Sequence, residues 1–252
     1  MHDINMNEPS EEFAKCWRSA GYHLQTQAGG RINSWLKANL TPPFLEHLSF
    51  RLGNQLFFIQ IEDVDKQLDL PGSLEGLYYI ADGCKSHACL LPMKKIGEEW
   101  RPMLPGWGLQ DARTKALINP VELITDEQIE ITDWELHDFA VQTVRDQLKN
   151  EGRQIMSSQG NPAVDPSIWF VGQNGPEWVV VRAVRYPNNR ATRPSNMSDI
   201  ANGCKNLSST GYFASVAIAN EAAMKDSSAT KIFRGFGAIV SYQGLEPAIP
   251  NT

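Results

Sequence analysis

The sequence predicts an α/β protein in which one sheet-and-helix unit occurs twice, head to tail. Three observations carry this reading. Segments of helical period alternate with segments of strand period along the whole chain. A hexapeptide returns: Ile80-Ala81-Asp82-Gly83-Cys84-Lys85 is matched by Ile200-Ala201-Asn202-Gly203-Cys204-Lys205, identical at five of six positions and offset by 200 − 80 = 120. With 252 residues, 42% apolar and 21% charged, the chain also has the material for two domains near the usual size.

In the first half, Phe13 to Leu24 has helical spacing, with Glu11 and Glu12 at the positive end of the helix dipole. Gly29-Gly30 ends it, and 32–40 predicts a second helix stopped by Pro42-Pro43. HLSFRLG followed by QLFFIQIED predicts a hairpin turning at Gly53-Asn54. Ser73 to Lys85 predicts a helix and Ala88 to Met93 a short buried strand. From Lys94 to Thr132 the punctuation of Pro102, Pro105, Gly106, Gly108 and Pro120 predicts loops and the connection between units. The units are accordingly placed at 1–120 and 121–252.

The clearest helix is ITDWELHDFAVQTVRDQLKNEG. Thr132 with Glu135 three residues on forms a capping box, and Gly152 supplies the stop. A polar loop leads to Ser167–Gly172, a turn at Gln173–Pro176, and the strongly strand-like Glu177–Pro187. A loop over Pro187–Ser195 precedes a helix at Asn196–Leu207. Strands follow at Tyr212–Ala219 and Phe236–Tyr242, with a helical turn near Glu221 and a loose tail from Glu246.

The surroundings of the hexapeptide correspond as well. The two hairpins align with Phe50 on Trp169 and Gly53 on Gly172, both offset by 119. Such self-similarity predicts two like units about a pseudo-two-fold axis and a monomer sufficient in itself.

Composition narrows the partners. The formal net charge of −6 weighs against a general duplex-DNA binder, which carries a basic footprint. Four cysteines, Cys16, Cys84, Cys89 and Cys204, are too sparse for a disulfide framework and suit a reducing compartment. The polar start lacks a basic and apolar leader, and no apolar run is long enough to span a bilayer. The chain is expected to be cytoplasmic, with no membrane partner.

The second half, helix, strand, turn, strand, helix, strand, resembles the restriction-endonuclease-like PD-(D/E)XK superfamily. The resemblance is strongest from Trp134 to Ala219, on the helix carrying Glu135, on Asp165-Pro166 before a strand, and on Trp178–Val184 after the hairpin. It implies two diverged copies of an αβββαβ core, and in active members an Asp, then an acid or Gln, then a Lys two positions on. Residues two apart share a strand face, so two carboxylates hold a divalent ion while the Lys positions water. Asp165 takes the first position here, but Arg182 stands at the acidic position and Val184 at the lysine position. In the first half these positions fall to Gln60 and Glu62, with Glu46, His47 or Leu48 opposite Asp165. The implied role is a non-catalytic, nuclease-like tandem domain that needs no cofactor. An active nuclease would use Mg²⁺ through a rearranged catalytic set of Glu135, Asp165 and Glu177.

Other constellations are weaker. Cys84, His87 and Cys89 invite a zinc reading, but the repeat keeps only Cys204, so packing explains the cysteines better and no metal site is expected. His137 reads as a half-exposed helical residue. Trp100, Trp107 and Trp134 read as packing between the copies. Arg182, Arg185, Arg190 and Arg193 form a basic cluster suited to phosphate or to an acidic partner. The reading that follows is binding of a macromolecule, protein or nucleic acid. The alternatives are the rearranged nuclease and an acidic chaperone or immunity-type protein-binding module.

Overall fold

Helical spacing and strand alternation set the architecture of both halves, seen in a computed structural model that describes residues 10–30, 36–38, 46–224 and 230–249. The chain divides into two compact units between Ile129 and Glu130. Two mixed sheets and four α-helices are present among the described residues. No helix among them is long and apolar enough to cross a membrane.

In the first unit, α1 (Glu11–Gln27) starts where the Ser10 hydroxyl accepts the Phe13 amide, and it buries Phe13, Cys16, Trp17, Ala20 and Leu24. β1 (Leu36–Lys37) pairs antiparallel with Phe50 and Ser49, so a sheet partner replaces the helix expected at 32–40 in its described part; residues 31–35 and 39–40 lie outside the described residues. β2 (Leu48–Leu52) and β3 (Gln55–Asp63) form the hairpin expected at Gly53-Asn54. Helix α2 (Leu74–Gly83) then crosses over to β4 (His87–Ile96), which lies parallel to β3.

The stretch expected to be all loop contains β5 (Glu99–Pro102), β6 (Leu109–Asp111) and β7 (Leu117–Ile118). Each is too short to show a period through its prolines and glycines. The sheet runs β1-β2-β3-β4-β6-β7, with β5 also on β4. Residues up to 129 group with this unit, and the Asn54 amide holds them by donating to Thr125 Oγ1 and to the Glu127 carbonyl, each at 2.8 Å. Trp100 and Trp107 pack into this unit's own core.

In the second unit, α3 (Asp133–Asn150) is followed by β8 (Gln154–Ser158), β9 (Ile168–Gly172) and β10 (Gly175–Arg185). Helix α4 (Met197–Cys204) crosses to β11 (Gly211–Asn220), parallel to β10, and β12 (Ala238–Tyr242) closes the order β12-β11-β10-β9-β8. The tail expected to be loose is strand β13 (Glu246–Pro247), paired with Tyr212 and Phe213 of β11. It finds ladder hydrogen bonds that its proline content hides in the sequence.

Alternation assigns the faces. Val179 and Val181 of β10 join Ala140, Val141 and Val144 of α3 in one core cluster. Trp178, Val180 and Phe213 join Met197 and Cys204 of α4 in another. In the first unit Phe57, Ile59 and Ile61 likewise face α1, while Phe58 and Leu90 face α2. Each sheet is thus buried on both sides, as parallel pairing through a crossover helix requires.

Phe57 and Phe213 are fully buried, one in each unit. Phe57→Ala and Phe213→Ala should each cost about 3–5 kcal/mol, read as a fall in the urea midpoint of the affected unit.

Candidate functional site

The site builds up at the carboxyl end of β10. Antiparallel pairing of β9 with β10 places Ile168 opposite Val179, which carries the preceding Asp165 to the level of Arg182. The guanidinium of Arg182 donates to both carboxylate oxygens, NH1 to Oδ1 at 2.9 Å and NH2 to Oδ2 at 2.5 Å. Its NH1 also reaches the Val181 carbonyl. The two positions that the resemblance equates with metal-binding acids are therefore neighbours in space, and the second is filled by a cation.

Glu135 sits at the third residue of α3. Its carboxylate accepts the Thr132 amide at 2.9 Å while Thr132 Oγ1 accepts the Glu135 amide, completing the capping box. The same carboxylate takes Arg234 in a fork, Nε to Oε1 at 2.8 Å and NH2 to Oε2 at 3.0 Å. Arg234, from the stretch before β12, was invisible as a site residue in the sequence. It lies 99 residues from its partner, and no local pattern marks it.

Glu177 lies elsewhere. It belongs to the α3 side of β10 with Val179, whereas Arg182 shares the α4 side with Trp178 and Val180. Five strand residues separate it from Arg182, roughly 16 Å along β10. Its side chain lies across Gly172, where even a Cβ would overlap its carboxyl group, and it accepts from Tyr212, whose phenol is pushed up by burial and then by the Glu177 charge. The three acids expected to rearrange into a metal site do not come together, and no group of three or more His, Cys, Asp or Glu able to hold a metal ion occurs among the described residues. A divalent ion such as Mg²⁺ needs open carboxylate oxygens; those of Asp165 and Glu135 are engaged by guanidinium groups, so the residues present do not fit one.

The basic cluster is engaged in the same way. Arg185 donates to the Ile131 carbonyl and to Asp133, each at 2.9 Å, with NH1 buried and unmatched. Arg190 and Arg193 both reach Glu246 Oε2, at 2.7 and 2.9 Å. Arg193 also bonds the Pro247 and Ala248 carbonyls and lies over the Phe213 ring. Pairing with Glu246 is what the expectation of a loose tail missed.

His137, expected to be half exposed, is buried at 4% exposure with Nε2 lacking a partner. The signal was present: four residues on is Val141, seven on is Val144 and eleven on is Leu148, one apolar stripe of α3. Burial, and then the Arg182 charge, lower its pKa from 6.5 to about 4, against the opposing pull of Asp165 and Asp138. The imidazole beside the Arg182–Asp165 pair is thus neutral at physiological pH. The zinc candidates are also structural: His87 stacks on Phe57 and bonds Gln55, while Cys84 and Cys89 are buried.

Two predictions follow from these burials. His137 titrates near 6.5 when unfolded and near 4 when folded, so between those values the unfolded state binds the extra proton. Stability is full above pH 6.5 and falls as pH drops toward 4, by at most roughly 3 kcal/mol. In His137→Leu this limb of a pH-dependent urea titration should flatten. Arg234 and Glu135 side chains are 1% and 15% exposed, against 24% and 13% for Arg182 and Asp165. Removing one partner of a buried pair strands the other charge, so Arg234→Met should cost about 3–5 kcal/mol and Arg182→Met less, both measured by chemical denaturation.

Residues 134–248, from the first turn of α3 to just beyond β13, match the model of a family described as Domain of unknown function (DUF8840). No curated protein and no solved structure matches the chain.

Proposed function

We propose that the chain is a tandem of two diverged restriction-endonuclease-like cores that has no nuclease chemistry and serves as a protein-binding module. The observation that carries the proposal is the Arg182 guanidinium on both oxygens of Asp165. In the family that the second half resembles, this is where two acids hold a metal ion. A guanidinium neutralises the aspartate but cannot coordinate a metal or activate water, and Val184 offers no amine to do so.

Duplication is supported by element order and by the repeated hexapeptide. Both units run helix, three strands, crossover helix and a strand parallel to the third. Ile80–Lys85 and Ile200–Lys205 each fall at the carboxyl end of the crossover helix, α2 in one unit and α4 in the other. A protein partner is favoured over nucleic acid because each of the four clustered arginines meets a carboxylate of its own unit. The net charge of −6 adds long-range repulsion toward phosphate backbones.

The test is incubation of the purified chain with supercoiled and linear DNA in Mg²⁺ or Mn²⁺, alongside anisotropy titrations of labelled DNA at two salt concentrations. No cleavage and no salt-steep affinity are expected. Metal-dependent cleavage that disappears in Asp165→Ala would overturn the silent-core reading. DNA affinity that falls steeply with salt and is lost in Arg190→Ala would overturn the choice of a protein partner.

A further inference from the structure

A polar pocket of about 200 Å³ opens in the second unit, lined by Asn189, Arg190, Ser215, Ser241, Gln243 and Glu246 beside Gly244. Its floor comes from sheet register. Ser241 lies opposite Ala217 on β11, and Ser215, two residues before Ala217, projects from the same face, so two hydroxyls from adjacent strands point the same way. The loop after β10 forms the wall: the Ala191 amide donates to Ser215 Oγ at 2.8 Å, which fixes that hydroxyl as an acceptor and leaves its proton to be given. Asn189, Ser241 and Gln243 are exposed around the opening.

The lining decides what fits. Its one cation and one anion are paired with each other, Arg190 to Glu246 at 2.7 Å, and the pairing holds both in place. Arg193 reaches the same carboxylate from outside the lining and turns its other nitrogen to the Pro247 and Ala248 carbonyls. No aromatic or large aliphatic side chain takes part, in contrast to the larger and mostly apolar pockets of drug-like ligands. What remains is a dense set of hydrogen-bonding groups: two hydroxyls and two carboxamides that both give and accept, a guanidinium that gives and a carboxylate that accepts. A hydroxyl group has the same dual character.

We infer that this pocket binds a hydroxyl-rich small molecule of monosaccharide size. The Glu246 and Arg190 pair supplies an acceptor and a donor in fixed relation, Ser215 and Ser241 meet the ligand from the sheet, and Asn189 and Gln243 close over it. The inference is independent of how the Arg182 and Asp165 pair is read.

Saturation-transfer difference NMR on the full chain tests it, with ribose, glucose and myo-inositol in separate samples and inorganic phosphate followed by ³¹P line width as the anion arm. Saturation transfer to at least one of the three polyols is expected. It should vanish in Ser241→Leu, whose side chain fills the pocket, and the affinity should weaken by about tenfold in Gln243→Ala, a variant at an exposed site that leaves the thermal melt in place. Silence from all three polyols, a signal undiminished in both variants, or broadening of phosphate alone would each overturn the inference.

Discussion

Two guanidinium-carboxylate forks hold the second unit's chemistry in place, and much else depends on them. A carboxylate removed from water carries a desolvation penalty that only a well-placed opposite charge offsets. Asp165 and Glu135 are both largely buried, and each accepts two parallel N–H groups from one arginine. That geometry is the strongest available to a carboxylate in a protein. It joins sequence-distant segments: the Glu135 fork ties the start of α3 to the stretch before β12, and the Asp165 fork ties the loop before β9 to β10. The Asp165 fork also bears on His137, whose pKa is lowered by burial and then by the Arg182 charge.

Why the forks form where they do comes from the sheet. Parallel pairing of β10 with β11 demands a helix on each face, and alternation then sorts side chains into an α3 layer and an α4 layer. Arg182 falls on the α4 face by parity alone. α4 is short, ending at Cys204, and shares a core cluster with Trp178, Val180 and Phe213, while Arg182 follows toward the carboxyl end of β10. A charged residue can sit there with its stem against the sheet and its head in a polar margin. The same margin, one strand over, holds Ser215 and the polar pocket. The ion pair and the pocket lie side by side on one face of the sheet, because register sets Arg182 opposite Ser215.

What was legible in the sequence was whatever had a short period or a short reach. The hairpin at Gly53-Asn54 and the capping box of Thr132 and Glu135 both follow from patterns spanning fewer than about twenty residues. Arg234 on Glu135 and the two arginines on Glu246 did not, because a partner brought in by tertiary folding leaves no local trace. β5, β6 and β7 were lost because strands of two to four residues cannot display alternation, and the described part of 32–40 is strand because β2 supplied hydrogen bonds that an isolated helix segment could not match. His137 is legible rather than hidden: its spacing to Val141, Val144 and Leu148 places it on the apolar stripe of α3, and packing of that stripe buries the imidazole despite its polarity.

A carboxylate neutralised by arginine behaves differently from one neutralised by a metal ion, and the difference bears on what such a site can do. A bound divalent ion exchanges, draws ligands and water into its remaining coordination positions, and lowers the pKa of that water. A guanidinium is tethered, keeps its charge across the working pH range, and offers only hydrogen bonds in a fixed plane. Substituting one for the other retains the charge balance, and with it the stability of the buried acid, while removing the source of a nucleophile.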